Sequence, residues 1–146
     1  MSIGNSFASD ILKLIFNATP IADLAADDQS SPATTLTVAL HTSDPGEGGT
    51  QATNETAYTS YVRQTVARTS GGWAIAGGDP DPATVSPVAN IDFPECTASP
   101  GGAITHFSVG TGVGNKLLWS GAISPTIAVA VGVVPRLKTT TVCTID

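Results

Sequence analysis

From residue 33 onward, Gly, Pro, Asn and Asp cut the chain into short segments rich in Val, Ile and Thr, recurring roughly every ten residues. Such punctuation leaves no room for long helices and requires many short strands closed by tight turns. Thr35 to His41 alternates Leu36, Val38 and Leu40 with Thr37, Ala39 and His41, the period of a half-buried strand. The turn Asp44-Pro45-Gly46-Glu47-Gly48-Gly49 follows at once. Tyr58 to Arg68 reads as a long strand, Trp73 to Ala76 as a short one, and Thr84 to Phe93 as an extended segment that Pro87 consigns to an edge or bulge. Ile104 to Val109, Leu117 to Ala122, Ile127 to Val134 and Thr139 to Ile145 bring the count to about eight, the number in jelly rolls and Greek-key sandwiches. The expected fold is therefore a mainly β, jelly-roll-like β-sandwich.

The first residues follow a different period. Ser6 is a helix cap, Asp10 sits in the first turn, and Phe7, Ile11, Leu14 and Ile15 recur at helical spacing, with Leu12 and Phe16 widening the apolar face and Pro20 ending it. Residues 21–32 are rich in Ala, Asp and Ser and suit a connection. This divides the chain into an N-terminal helix with its loop, residues 1–32, and a sandwich domain, residues 33–146. Ile127, Val129, Val131 and Val133 alternate with Ala128, Ala130 and Gly132, so one face of that expected strand is smooth enough to receive the helix or a neighbouring subunit.

Charge narrows the class of partner. With 146 residues, 12% charged side chains and a net charge of -6, the chain lacks the clustered cations that nucleic acid demands. Its longest apolar run, Ile127 to Val134, is too short to span a bilayer, and no basic region precedes the apolar start as in a signal peptide. The expected partner is a protein. Cys96 and Cys143 are expected as buried, reduced thiols.

The chemistry-bearing residues do not assemble into a recognisable motif. Gly110-Thr111-Gly112-Val113-Gly114 precedes an expected strand, whereas a phosphate-cradling loop opens a helix. His41 and His106 are the only histidines and lie on strand patterns, without a nucleophile elbow or metal-ligand spacing around them. Asp79 and Asp81 read as a Pro-stiffened turn, and Asp92 and Glu95 as loop carboxylates. Trp73, Trp119, Tyr58 and Tyr61 are expected in the core. No enzyme activity, cofactor or metal is expected.

One stretch carries a resemblance. Leu40-His41-Thr42-Ser43-Asp44-Pro45-Gly46-Glu47-Gly48-Gly49-Thr50-Gln51 resembles a family of small tailed-phage virion proteins, often labelled tail fibre proteins. Asn54-Glu55, Tyr58, Tyr61, Arg63, Val66, Arg68, Gly72-Trp73, Ile91-Asp92-Phe93-Pro94, Cys96, Thr105-His106-Phe107 and Leu118-Trp119-Ser120-Gly121 continue it in order. The resemblance implies a structural role in the virion. A compact block without repeats suits a capsid cement or decoration protein on the capsid exterior, contacting the major capsid protein or other virion proteins, and a fibre adhesin is the alternative. A homo-oligomer, dimer or trimer, is expected. The candidate contact residues are Phe7, Ile11, Leu12 and Phe16 on the helix and Pro45, Gly46, Glu47, Gly48 and Gly49 at the loop tip.

Overall fold

The computed structural model describes residues 2–4, 6–7, 11, 20–22, 24, 33–78 and 81–145. Among them run ten strands: β1 (Ser2–Ile3), β2 (Thr35–His41), β3 (Gln64–Ala67), β4 (Trp73–Gly78), β5 (Asp81–Pro87), β6 (Ile91–Asp92), β7 (Ile104–Gly110), β8 (Leu117–Ile127), β9 (Arg136–Leu137) and β10 (Cys143–Ile145). They form a five-stranded sheet in the order β1-β8-β7-β2-β3, a three-stranded sheet in the order β10-β5-β4 and the two-stranded β6-β9 ribbon, with every pairing antiparallel. The protein is thus mainly β. In place of the balanced pair of sheets expected of a jelly roll, one large sheet is accompanied by two small ones.

Register explains the core. Val38 pairs with Val109 and Leu40 with Phe107 across β2 and β7, so these four side chains share one face of the large sheet. They pack with Ile91, Leu137 and Cys143 from the small sheets and with Tyr58, Phe93 and Cys96 from the connections. The alternate residues Thr37, Ala39 and His41 were expected toward solvent, yet they too are buried. The opposite face of β2 is covered by the loop that follows it.

Several expected elements change for identifiable reasons. The long strand from Tyr58 to Arg68 shrinks to β3, because a turn closes with the Tyr61 N–H donating to the Tyr58 carbonyl. Ile127 to Val134 is no strand: β8 ends at Ile127, Gly132 N–H donates to the Cys96 carbonyl, and Val131 and Val134 are exposed. Its alternation of large and small residues therefore builds no smooth sheet face. Pro87 does not mark an edge; it is the last residue of β5, the central strand of its sheet, beyond the last residue paired with β10. The extended segment from Thr84 to Phe93 divides there into β5 and β6.

An N-terminal helix is not seen as an element among the described residues. Ser6, Phe7 and Ile11 have helical backbone, while Leu12, Phe16 and the rest of the expected helix lie outside the described residues. Phe7 is nevertheless buried. With Ile21 and Leu118 it forms a second apolar cluster, where its ring meets Trp119 edge-on at 5.0 Å.

Candidate interaction surface

The loop leaving β2 is shaped by polar side chains rather than by an apolar core. Asp44 accepts from the Gly46 N–H through Oδ1 at 2.8 Å, and Gly49 N–H donates to the Gly46 carbonyl. A Cβ at position 49 would collide with the Pro45 carbonyl, so only glycine closes this turn. Asn54 then ties the loop back, donating to the Asp44 carbonyl at 2.9 Å while its own carbonyl accepts from Thr42 N–H.

Beneath this loop lies the polar face of the large sheet. The His41 Nδ1 is 2.8 Å from the Thr53 carbonyl, which can only accept, so Nδ1 carries the proton. Nε2 is then left to accept from the Ser108 hydroxyl, also at 2.8 Å. Gln51 Nε2 donates to the Thr37 carbonyl at 2.9 Å. A Cβ at Gly110 would strike the Gln51 side chain, so the absent side chain makes room for this amide. Burial holds the His41 imidazole below its ordinary value, outweighing the carbonyl of Thr53, which favours the charged form. Ser108 and His41 are both fully buried, so no substrate carbonyl can reach this hydroxyl–imidazole pair.

The outer side of β2 is finished by residues 54–63. Past the end of β3, Leu40 N–H donates to the Tyr61 hydroxyl at 3.0 Å and the Leu40 carbonyl accepts from Thr56 N–H at 2.9 Å. The edge of the strand is thereby satisfied without a further strand. The Tyr61 hydroxyl donates to Glu55 Oε1 at 2.9 Å, and Arg63 grips both oxygens of Glu55, at 2.7 and 2.6 Å. Arg63 also reaches Asn115 Oδ1 in the β7–β8 turn at 2.7 Å. Burial raises the Tyr61 hydroxyl above its ordinary value, and the hydrogen bond to Glu55 raises the Arg63 guanidinium. Among the buried polar atoms, Gln51 Oε1, Thr56 Oγ1 and Trp73 Nε1 have no hydrogen-bond partner among the described residues.

The expected contact residues separate into groups. Glu47 and Gly48 are exposed at the tip, Gly46 and Gly49 are half-buried, and Pro45 is buried beneath them. Phe7 is buried and Ile11 packs on the same second cluster, while Leu12 and Phe16 lie outside the described residues. Asp92, expected in a loop, lies on β6 and is held by Arg136 of β9, whose guanidinium keeps its carboxyl below the usual range. Asp79 lies outside the described residues. Cys96 and Cys143 are free and buried, and burial pushes the Cys143 thiol up to about 11.

Tyr58 is buried and Tyr61, Trp73 and Trp119 pack against the core. No helix among the described residues is long and apolar enough to cross a membrane. Sequence reasoning missed the network of Gln51, Glu55, Arg63 and Ser108. Its one legible signal was an Arg and a Glu flanking two tyrosines in a chain with few charges. A family model described as podophage GP4 fiber I protein gp80 matches residues 5–143. No curated protein matches the chain.

Proposed function

The chain belongs to the podophage GP4 fiber I protein family, and from that premise we propose that it is a compact fibre subunit whose residue 42–56 loop docks a neighbouring virion protein. The supporting observation is where the buried polar groups are placed. His41, Gln51 and Tyr61 bond backbone directly, Glu55 and Arg63 hold the Tyr61 hydroxyl in place, and the resulting shape presents Glu47 and Gly48 to solvent. A contact loop fixed in advance loses little conformational entropy on docking. This reading needs no catalytic step, in keeping with a sealed Ser108–His41 pair and with a family of structural proteins.

A second reading, a cement or decoration protein on the capsid exterior, is favoured by the net charge of -6, which suits an outer surface better than one facing packaged DNA. Cryo-EM of the particle separates the two. A fibre subunit occupies few copies at a vertex or tail with the 42–56 loop in the contact; hundreds of copies across the shell support the cement reading. Glu47→Lys is expected to leave the fold intact and reduce incorporation into particles. Normal incorporation of that variant would remove the loop from the interface.

A further inference from the structure

Both histidines of the chain stand side by side under the loop that leaves β2. His41 of β2 is directly opposite His106 of β7, so the two side chains share the polar face of the large sheet, and Glu55 is opposite His41 on its other flank. His106 is half-buried, with Nδ1 2.8 Å from the Thr105 hydroxyl, whereas His41 is sealed. The seal contains no large apolar side chain: from Thr42 to Thr56 there is no Val, Leu, Ile, Met, Phe, Tyr or Trp. The tip of the loop, residues 45–53, is held down by hydrogen bonds. The Thr53 carbonyl accepts from His41, the Gln51 side-chain amide donates to the Thr37 carbonyl, and Gln51 N–H donates to the Asn115 carbonyl at 2.9 Å.

Acid acts on one of these ties. Because Nδ1 already carries the proton that Thr53 accepts, a second proton enters at Nε2, the atom that accepts from Ser108. The Ser108 hydroxyl must then turn and lose its acceptor, and a full charge sits in a sealed site. The groups facing that charge give it little relief. From β7 comes His106, a second group that charges in acid; from the return of the loop comes Glu55, whose two oxygens are already gripped by Arg63. Asp44 and Glu47, in the loop itself, are exposed. Lifting the tip admits water to the imidazolium and uncovers little apolar surface, whereas separating β2 from β7 would open the apolar core on the other face.

We propose that residues 45–53 are an acid-released cover: a proton entering His41 lifts this tip off the large sheet, while β2 and β7 stay paired and the base of the loop stays closed through Thr42 N–H on the Asn54 carbonyl and Thr56 N–H on the Leu40 carbonyl. The cover belongs to the chain alone and does not depend on what the loop docks.

Hydrogen exchange by NMR on the full chain between pH 7.5 and pH 5, corrected for the intrinsic pH dependence of exchange, tests this. Protection of the Gln51 amide is expected to fall by up to about tenfold for each pH unit below 6.5, the ordinary value of the imidazole, as one proton is taken up on opening. The amides of Val109 and Thr42 are expected to hold. His41→Gln, which cannot titrate, is expected to abolish the fall, and His106→Gln, at a half-buried site, to keep it. Constant Gln51 protection in the natural chain would overturn the proposal, as would a parallel loss at Val109, which would mean global unfolding. A fall that persists in His41→Gln, or that vanishes in His106→Gln, would overturn the assignment to His41.

Discussion

The two ends of the β2 and β4 strands treat exposed backbone in opposite ways. At the end of β2, the Leu40 N–H is taken by the Tyr61 hydroxyl, the Leu40 carbonyl by Thr56 N–H and the Thr42 N–H by the Asn54 carbonyl. At β4 the outward groups of Ile75 face an open edge beside an apolar cleft. The first region uses polar atoms to fix a shape within one chain. The second leaves apolar surface and backbone uncovered among the described residues. A fold of this size can thus close one strand edge with its own loops and leave another uncovered.

The difference predicts unequal costs of substitution. His41→Ala removes a buried ring from between Thr53 and Ser108, leaving a cavity, the Thr53 carbonyl without its side-chain donor and Ser108 Oγ with the Gln51 amide at 3.5 Å. It is expected to lower unfolding free energy by about 2–4 kcal/mol. Ile75→Ser, at an exposed site, is expected to change it by less than about 0.5 kcal/mol. Urea unfolding measures both, and equal losses would erase the contrast. Arg63→Ala leaves the half-buried Glu55 carboxylate with Tyr61 as its remaining side-chain donor and is expected to cost about 1–3 kcal/mol. A loss within error of zero would make the Glu55–Arg63 pair ornamental and the loop self-supporting.

Acid distinguishes the regions more gently. The folded His41 binds a proton less readily than the unfolded imidazole, whose ordinary value is 6.5. Below 6.5 the unfolded chain therefore gains protons that the folded chain does not, and stability falls until the folded value is reached. The urea midpoint is expected to drop between about pH 7 and about pH 5, less steeply in His41→Gln. An identical slope in the variant would assign the acid sensitivity to other groups.

Much of this layout was legible before the structure. The alternation of Leu36, Val38 and Leu40 located β2 with the boundaries observed, and the Pro-Gly punctuation located the loop tip. The failures have physical causes. Period-two alternation from Ile127 to Val134 is equally compatible with a loop that drops Val129 onto the core and turns at Gly132. The burial of Thr37, Ala39 and His41 was invisible because it depends on a later loop folding back over them, a long-range event that local pattern does not encode. Arg63 and Glu55 were legible as residues of a resemblance and as two rare charges flanking two tyrosines, but nothing in a sequence states that charges eight positions apart will meet. Ile75 was the subtlest, an apolar residue in a good strand, whose significance lies in the sheet stopping beside it.

Native-state hydrogen exchange on the isolated chain tests the contrast most directly. The amides of Leu40, Thr42 and Thr56 are expected to be protected to the level of the β7–β8 core, and that of Ile75 to exchange fast. Fast exchange at Leu40, Thr42 and Thr56, or slow exchange at Ile75, would contradict the account of a locked loop and an open edge.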